Sequence, residues 1–309
     1  MRFAAALALS VLCSAGAVQA QERPSVLFIG NSFTFGSGSA VRFYRSGTVT
    51  DLNDEGIGGV PALFKSFADQ SDLEYDVYLE TRGGSGFEFH FENKLDVIGN
   101  RSWDMVVMQG QSTLDLQNPG DPTKYLATAP QLAQVFVGRN PDVELYLMAT
   151  WSRADLTYPS EGAWYGKPIA QMARDVRAGI DQAAQITPGV KAVLPVGEAW
   201  TRAMETGVAD PNPYDGIAPD QVDLWTNDHY HASSYGYYLE ALVVFGTITG
   251  LDPRSLGGRE CSGMELGFSR TQVSALQQVA FDELASTNAV TAAPAVESGR
   301  GGGARCAVG

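Results

Sequence analysis

The chain has 309 residues, 44% hydrophobic and 18% charged, with a formal net charge of -14. Such a composition excludes a disordered polypeptide. The acidic balance argues against nucleic acid or anionic lipid as a partner.

The first segment, MRFAAALALSVLCSAGAVQA, joins one early Arg to an apolar stretch and closes on the small-residue pattern Val18-Gln19-Ala20. It reads as a secretory signal peptide spanning residues 1–20. Its apolar stretch falls short of the ~20 residues of a membrane span, and Leu12 precedes Cys13 where a lipoprotein signal needs a small residue. The expectation is an exported protein, periplasmic or extracellular, with no membrane insertion. Residues 21–286 are expected to form one domain, and the Ala/Gly/Pro-rich tail 287–309 to be disordered. Cys261 and Cys306 remain once the signal is removed. In an oxidising compartment they can pair as a disulfide, and two free thiols are the other reading.

Short apolar runs then alternate with helical periodicity. Strands are expected at Val26–Ile29, Tyr75–Glu80, Met105–Met108, Leu145–Ala149 and Ala192–Pro195. Helices are expected at Pro61–Ala68, Phe87–Val97, Tyr125–Gly138, Ile169–Ile186 and Gly197–Glu205, with another beginning near Ser233. This alternation predicts βαβ units and one parallel sheet of about five strands, an α/β fold. The strands are apolar throughout, as expected when helices cover both faces. Two long loops, 151–166 and 207–227, follow sheet elements, where α/β proteins place binding residues. Trp151, Tyr158, Trp164 and Tyr165 in the first could stack on sugar rings or pack locally.

Several chemistries are excluded. Ser32 occupies the second Gly position of a dinucleotide fingerprint, Gly166-Lys167 is followed by Pro168 rather than Ser or Thr, and no G-x-S-x-G elbow is present. What remains is a set of strand-end residues. VLFIGNSFTFG leaves Ser32 at the tip of the first strand, as a helix cap, part of a phosphate loop, or a nucleophile. TRGGSGFEFH puts Gly83 and Gly84 after the second strand, where backbone N–H groups can face a developing oxyanion. VVMQGQST puts Gln109 and Gln111 after the third. NDHYHASSYGYYLEAL carries Asp228 three residues before His231. At a tight turn that spacing lets the carboxylate meet the imidazole Nδ1–H, leaving Nε2 to take a proton from a serine. Asp228, His229 and His231 could alternatively ligate a metal.

Taken in chain order, Ser32 of GNS, Gly84, Gln111 and the D-x-x-H-x-x-x-x-G stretch from Asp228 through His231 to Gly236 resemble the SGNH hydrolase superfamily of GDSL-like esterases and lipases. The match runs from about Ser25 to Leu242 and is most similar to a bacterial branch of unassigned function, a branch that PVGEAW (195–200) also fits. The resemblance implies a three-layer α/β/α sandwich and a secreted carboxylic ester hydrolase acting on O-acyl groups, acetyl or other short chains, on carbohydrate or a small molecule. It implies a Ser32–His231–Asp228 triad and an oxyanion hole from Ser32, Gly84 and Gln111, and no cofactor. Gln111 stands where the family carries Asn, which leaves Gln109 as the other amide candidate. Asn31, Gln109 and Trp151 are candidate substrate contacts. The alternative is a catalytically silent carbohydrate-binding protein on a hydrolase fold.

Overall fold

The computed structural model describes residues 23–291 and Cys306. The expected signal peptide and most of the tail lie outside them.

Six parallel strands form one sheet: β1 (Ser25–Gly30), β2 (Thr50–Asp51), β3 (Asp76–Thr81), β4 (Met105–Met108), β5 (Glu144–Ala149) and β6 (Val190–Pro195), in the order β2-β3-β1-β4-β5-β6. β1 lies in the middle, paired from Ser25↔Asp76 to Gly30↔Thr81 on one side and from Val26↔Met105 to Ile29↔Met108 on the other. Its side chains alternate between two cores. Val26 and Phe28 face one, Leu27 and Ile29 the other, and all four are fully buried. Burial of each such side chain contributes roughly 1.5–3 kcal/mol.

Helices complete the three layers. α2 (Gly59–Gln70), α8 (Val196–Glu205), α9 (Ser234–Thr249) and α11 (Arg270–Ser286) pack over one face; α3 (Phe87–Asn93), α5 (Thr123–Arg139) and α7 (Ala170–Ile186) over the other. Shorter turns of helix are α1 (Ser32–Phe35), α4 (Leu95–Ile98), α6 (Ala154–Thr157) and α10 (Cys261–Glu265). The five expected strands are present, and the sixth is the two-residue edge strand β2. The helix expected over Phe87–Val97 breaks at Lys94, which serves α3 as C-cap and α4 as N-cap.

Chain reversal at the carboxyl ends of β1, β3 and β4 brings three loops to the top of the sheet centre. Asn31 ties them together. Its Nδ2 donates to the Ser85 carbonyl (2.9 Å) and the Gly110 carbonyl (3.1 Å), while its Oδ1 accepts the Phe33 N–H (3.1 Å) and caps α1. Cys261, at the start of α10, is disulfide-bonded to Cys306.

Candidate active site

Ser32 opens α1 directly after β1. It is 7% exposed, and its Oγ has no hydrogen-bond partner among the described residues. The cap of α1 is Asn31, so Ser32 is not needed for that role. Its backbone carbonyl accepts from the Tyr237 hydroxyl of α9 (3.0 Å), which anchors the turn from below.

Asp228 and His231 meet as their spacing predicts. The loop from Thr226 to His231 closes on itself, with Thr226 N–H donating to the His231 carbonyl (2.8 Å) and a Trp225↔Ala232 bridge at its base. One Asp228 oxygen accepts the N–H groups of Tyr230 (2.9 Å) and His231 (2.8 Å) and the Thr226 hydroxyl (2.7 Å). The other lies 2.6 Å from His231 Nδ1. Burial pushes this carboxyl upward, but the hydrogen bonds of His231, Thr226 and the two backbone amides outweigh it and hold Asp228 well below the usual carboxylate range. An ionised Asp228 fixes the Nδ1–H tautomer and leaves Nε2 to face other groups. Ser233 then caps α9 through the N–H groups of Tyr235 and Gly236. Gly236 lets that helix approach Trp200, because a Cβ there would sit 2.4 Å from the indole ring.

Aromatic packing joins the serine and histidine segments. The Phe33 ring lies 5.9 Å from His231 and 5.4 Å from Tyr230, and stacks on Trp151 at 4.2 Å. Trp151 stacks on Trp200 at 4.5 Å, and Trp200 meets Trp225 at 5.4 Å. The Tyr230 ring lies against the His231 ring at 4.0 Å, tilted by 32°, and carries the Arg153 guanidinium on its face (3.5 Å). Arg153 in turn pairs with Asp155, whose N–H donates to the His229 carbonyl (3.1 Å). The loop after β5 thereby latches the histidine loop.

Gly84 stands in the loop after β3 with a left-handed φ of +72°. Its carbonyl accepts Gln111 Nε2 at 2.5 Å, so the amide from the β4 loop reaches the glycine and keeps a second N–H in hand.

The structure buries the three candidate substrate contacts. Trp151 is fully buried inside the aromatic column, and Asn31 is 3% exposed with its side chain committed to three loops. Gln109 is fully buried. Its Oε1 accepts the Asn31 N–H (2.9 Å) and the Thr34 hydroxyl (3.2 Å), and its amide donates to the Gly110 carbonyl. Gln109 is therefore a strut under α1, and Gln111 is the amide beside Gly84. In the long loops Trp164 is also buried, whereas Tyr165 and Tyr214 are exposed. Among the described residues no three His, Cys, Asp or Glu side chains are grouped to hold a metal, so Asp228, His229 and His231 do not make a ligand set. The His229 ring instead packs on Tyr214 at 4.2 Å.

No protein-family model and no curated protein matches this chain. Solved structures do. A DUF4886 family protein from Bacteroides uniformis aligns with a TM-score of 0.57 at 18% identity, over 87% of this chain and 98% of its own. A protein described as a GDSL-like lipase, from Parabacteroides merdae, aligns at 0.53 and 16% identity, over 75% of this chain and 98% of its own. LAE5, an alpha/beta hydrolase enzyme from the metagenome of Lake Arreo, aligns at 0.50 and 16% identity, over 72% and 94%.

Proposed function

On the premise of an SGNH-like hydrolase fold, we propose that this chain is an exported serine esterase that cleaves acetyl or other short O-acyl esters on carbohydrate. The observation that carries the proposal is the 2.6 Å Asp228–His231 contact, on a loop packed through Phe33 against the segment of the uncommitted Ser32 hydroxyl.

In this mechanism His231 Nε2 takes the Ser32 proton as Oγ forms a bond to the ester carbonyl carbon. The Ser32 and Gly84 N–H groups and the second Gln111 amide proton receive the oxyanion. The carbon–alkoxide bond then breaks, and His231 returns its proton to the leaving alcohol. A water attacks the acyl-serine with His231 again as base, releasing the carboxylic acid and restoring Ser32. Asp228 stays ionised and stabilises the imidazolium.

Carbohydrate is supported by the exposed Tyr214, packed on His229 of the histidine loop, which offers a ring face for a sugar. A fluorophosphonate probe, followed by peptide mapping, should place the adduct on Ser32. A panel from acetylated sugars to long-chain esters should show turnover confined to the short acyl groups. A protein that takes no probe and turns over no ester on the panel is not a serine esterase.

A further inference from the structure

Behind the Gly84 loop lies a second acid–histidine–serine series. Glu80 at the end of β3 and His90 of α3 are fully buried, and Ser85 between them is 8% exposed. His90 Nδ1 contacts Glu80 Oε2, and Nε2 lies 3.0 Å from Ser85 Oγ. The order of atoms is that of a catalytic triad, but the proton runs the other way. Ser85 donates its one hydroxyl proton to the Arg82 carbonyl (2.7 Å), so His90 Nε2 must donate to Ser85. Nδ1 faces a carboxylate. Burial would push that carboxyl up, yet the hydrogen bond and charge of His90, with Asn53 and Lys94, bring it below its ordinary value. With a proton on Nε2 and Ser85's own proton held by Arg82, His90 cannot serve Ser85 as a base.

The series ends on the turn that presents Gly84. Ser85 N–H and Oγ–H both donate to the Arg82 carbonyl (3.2 and 2.7 Å), closing the four-residue turn Arg82–Ser85 with Gly84 left-handed at its third position. In such a turn the direction of the Gly83–Gly84 peptide, and hence of the Gly84 N–H, is set by the turn itself. Asn31 holds the Ser85 carbonyl and Gln111 the Gly84 carbonyl from the other side.

We propose that Glu80, His90 and Ser85 are a positioning relay that fixes the Gly84 N–H for the oxyanion, a role that rests on the esterase reading above. Ser85 is a positioning residue and not a second nucleophile.

The test compares wild type, Ser85→Ala and Ser85→Thr on an acetyl ester, with the backbone order parameter of Gly84 measured by NMR on each. Ser85→Ala is expected to lower kcat by about 10- to 100-fold, the scale of a small misplacement of a catalytic group, with KM changed less than about 2-fold because the oxyanion exists only beyond the ground state. Gly84 should pass from the rigid range, about 0.85, to below about 0.6. Ser85→Thr keeps a hydroxyl and should restore both. An unchanged kcat with a rigid Gly84 in Ser85→Ala overturns the relay, and so does a fluorophosphonate adduct on Ser85. If wild type hydrolyses no ester, the esterase reading fails, and the Gly84 order parameter alone decides whether the relay holds the loop.

Discussion

Gln111 is the residue at which the proposed oxyanion site departs from the motif pattern that the sequence resembles. It is one methylene longer than Asn, and the structure shows where the extra reach goes: Nε2 meets the Gly84 carbonyl at 2.5 Å. Gln111→Ala removes a donor and the tie to the glycine loop together. We expect steady-state kcat on an acetyl ester to fall by about 10²–10³, the usual cost of one oxyanion donor, with the fold retained. Glu240 supports a different prediction. It is fully buried in α9, neither carboxylate oxygen has a partner among the described residues, and burial pushes its pKa well above the ordinary carboxylate value. Above the ordinary value the unfolded chain releases this proton while the native chain keeps it. Native stability must then fall as pH rises toward the folded pKa, by about 1.4 kcal/mol per pH unit. Glu240→Gln lacks the proton. Its urea stability relative to wild type should improve between pH 5 and pH 8, and a difference independent of pH would show that Glu240 is ionised in the fold.

The elements were legible where burial is two-sided. Val26–Ile29 and Met105–Met108 are apolar runs because helices cover both faces of the sheet, and that signal is local. β2 escaped because two residues on a half-exposed edge leave no run to detect. The helix break at Lys94 carries no Gly or Pro to announce it. Trp151 shows the limit most clearly: an aromatic residue after a strand has the same sequence signature whether it faces a ligand or a core. Here it is sandwiched between Phe33 and Trp200, which also accounts for the tryptophan of PVGEAW. Trp151→Ala should cost about 3–5 kcal/mol in urea unfolding, as for other large core truncations, and should lower kcat as well because the column carries Phe33 and the Ser32 turn. A loss of stability smaller than 1 kcal/mol, on the order of a surface substitution, would mean the column does not hold. The buried Glu80–His90 pair leaves no local signal for a related reason. In TRGGSGFEFH the glycines carry the local signal, and only the fold brings its histidine back onto the strand.

For the whole molecule, the disulfide joins Cys306 to Cys261 of α10 across 45 residues of sequence. A loop of that length restricts the unfolded chain by about 4 kcal/mol in the entropy model. A Cys306→Ser variant should lose stability toward that size and become insensitive to reducing agent, whereas wild type should weaken on reduction. An oxidising compartment would keep this bond intact, in keeping with the proposed export.

The pieces at the head of the sheet come from four distant segments: Ser32 from the β1 end, Gly84 from β3, Gln111 from β4 and His231 from the loop before α9. Their types and order could be read in the sequence, but not their supports, because struts such as Asn31, Gln109 and Arg153 act through contacts between loops. The most direct test is kcat/KM on a simple acetyl ester for wild type and Ser32→Ala, purified and assayed side by side with folding verified. Ser32 as nucleophile predicts measurable turnover by wild type and a drop of at least about 10⁴-fold in the variant, within the ~10⁶ cost of losing a catalytic serine outright. Equal rates for the two proteins would contradict it.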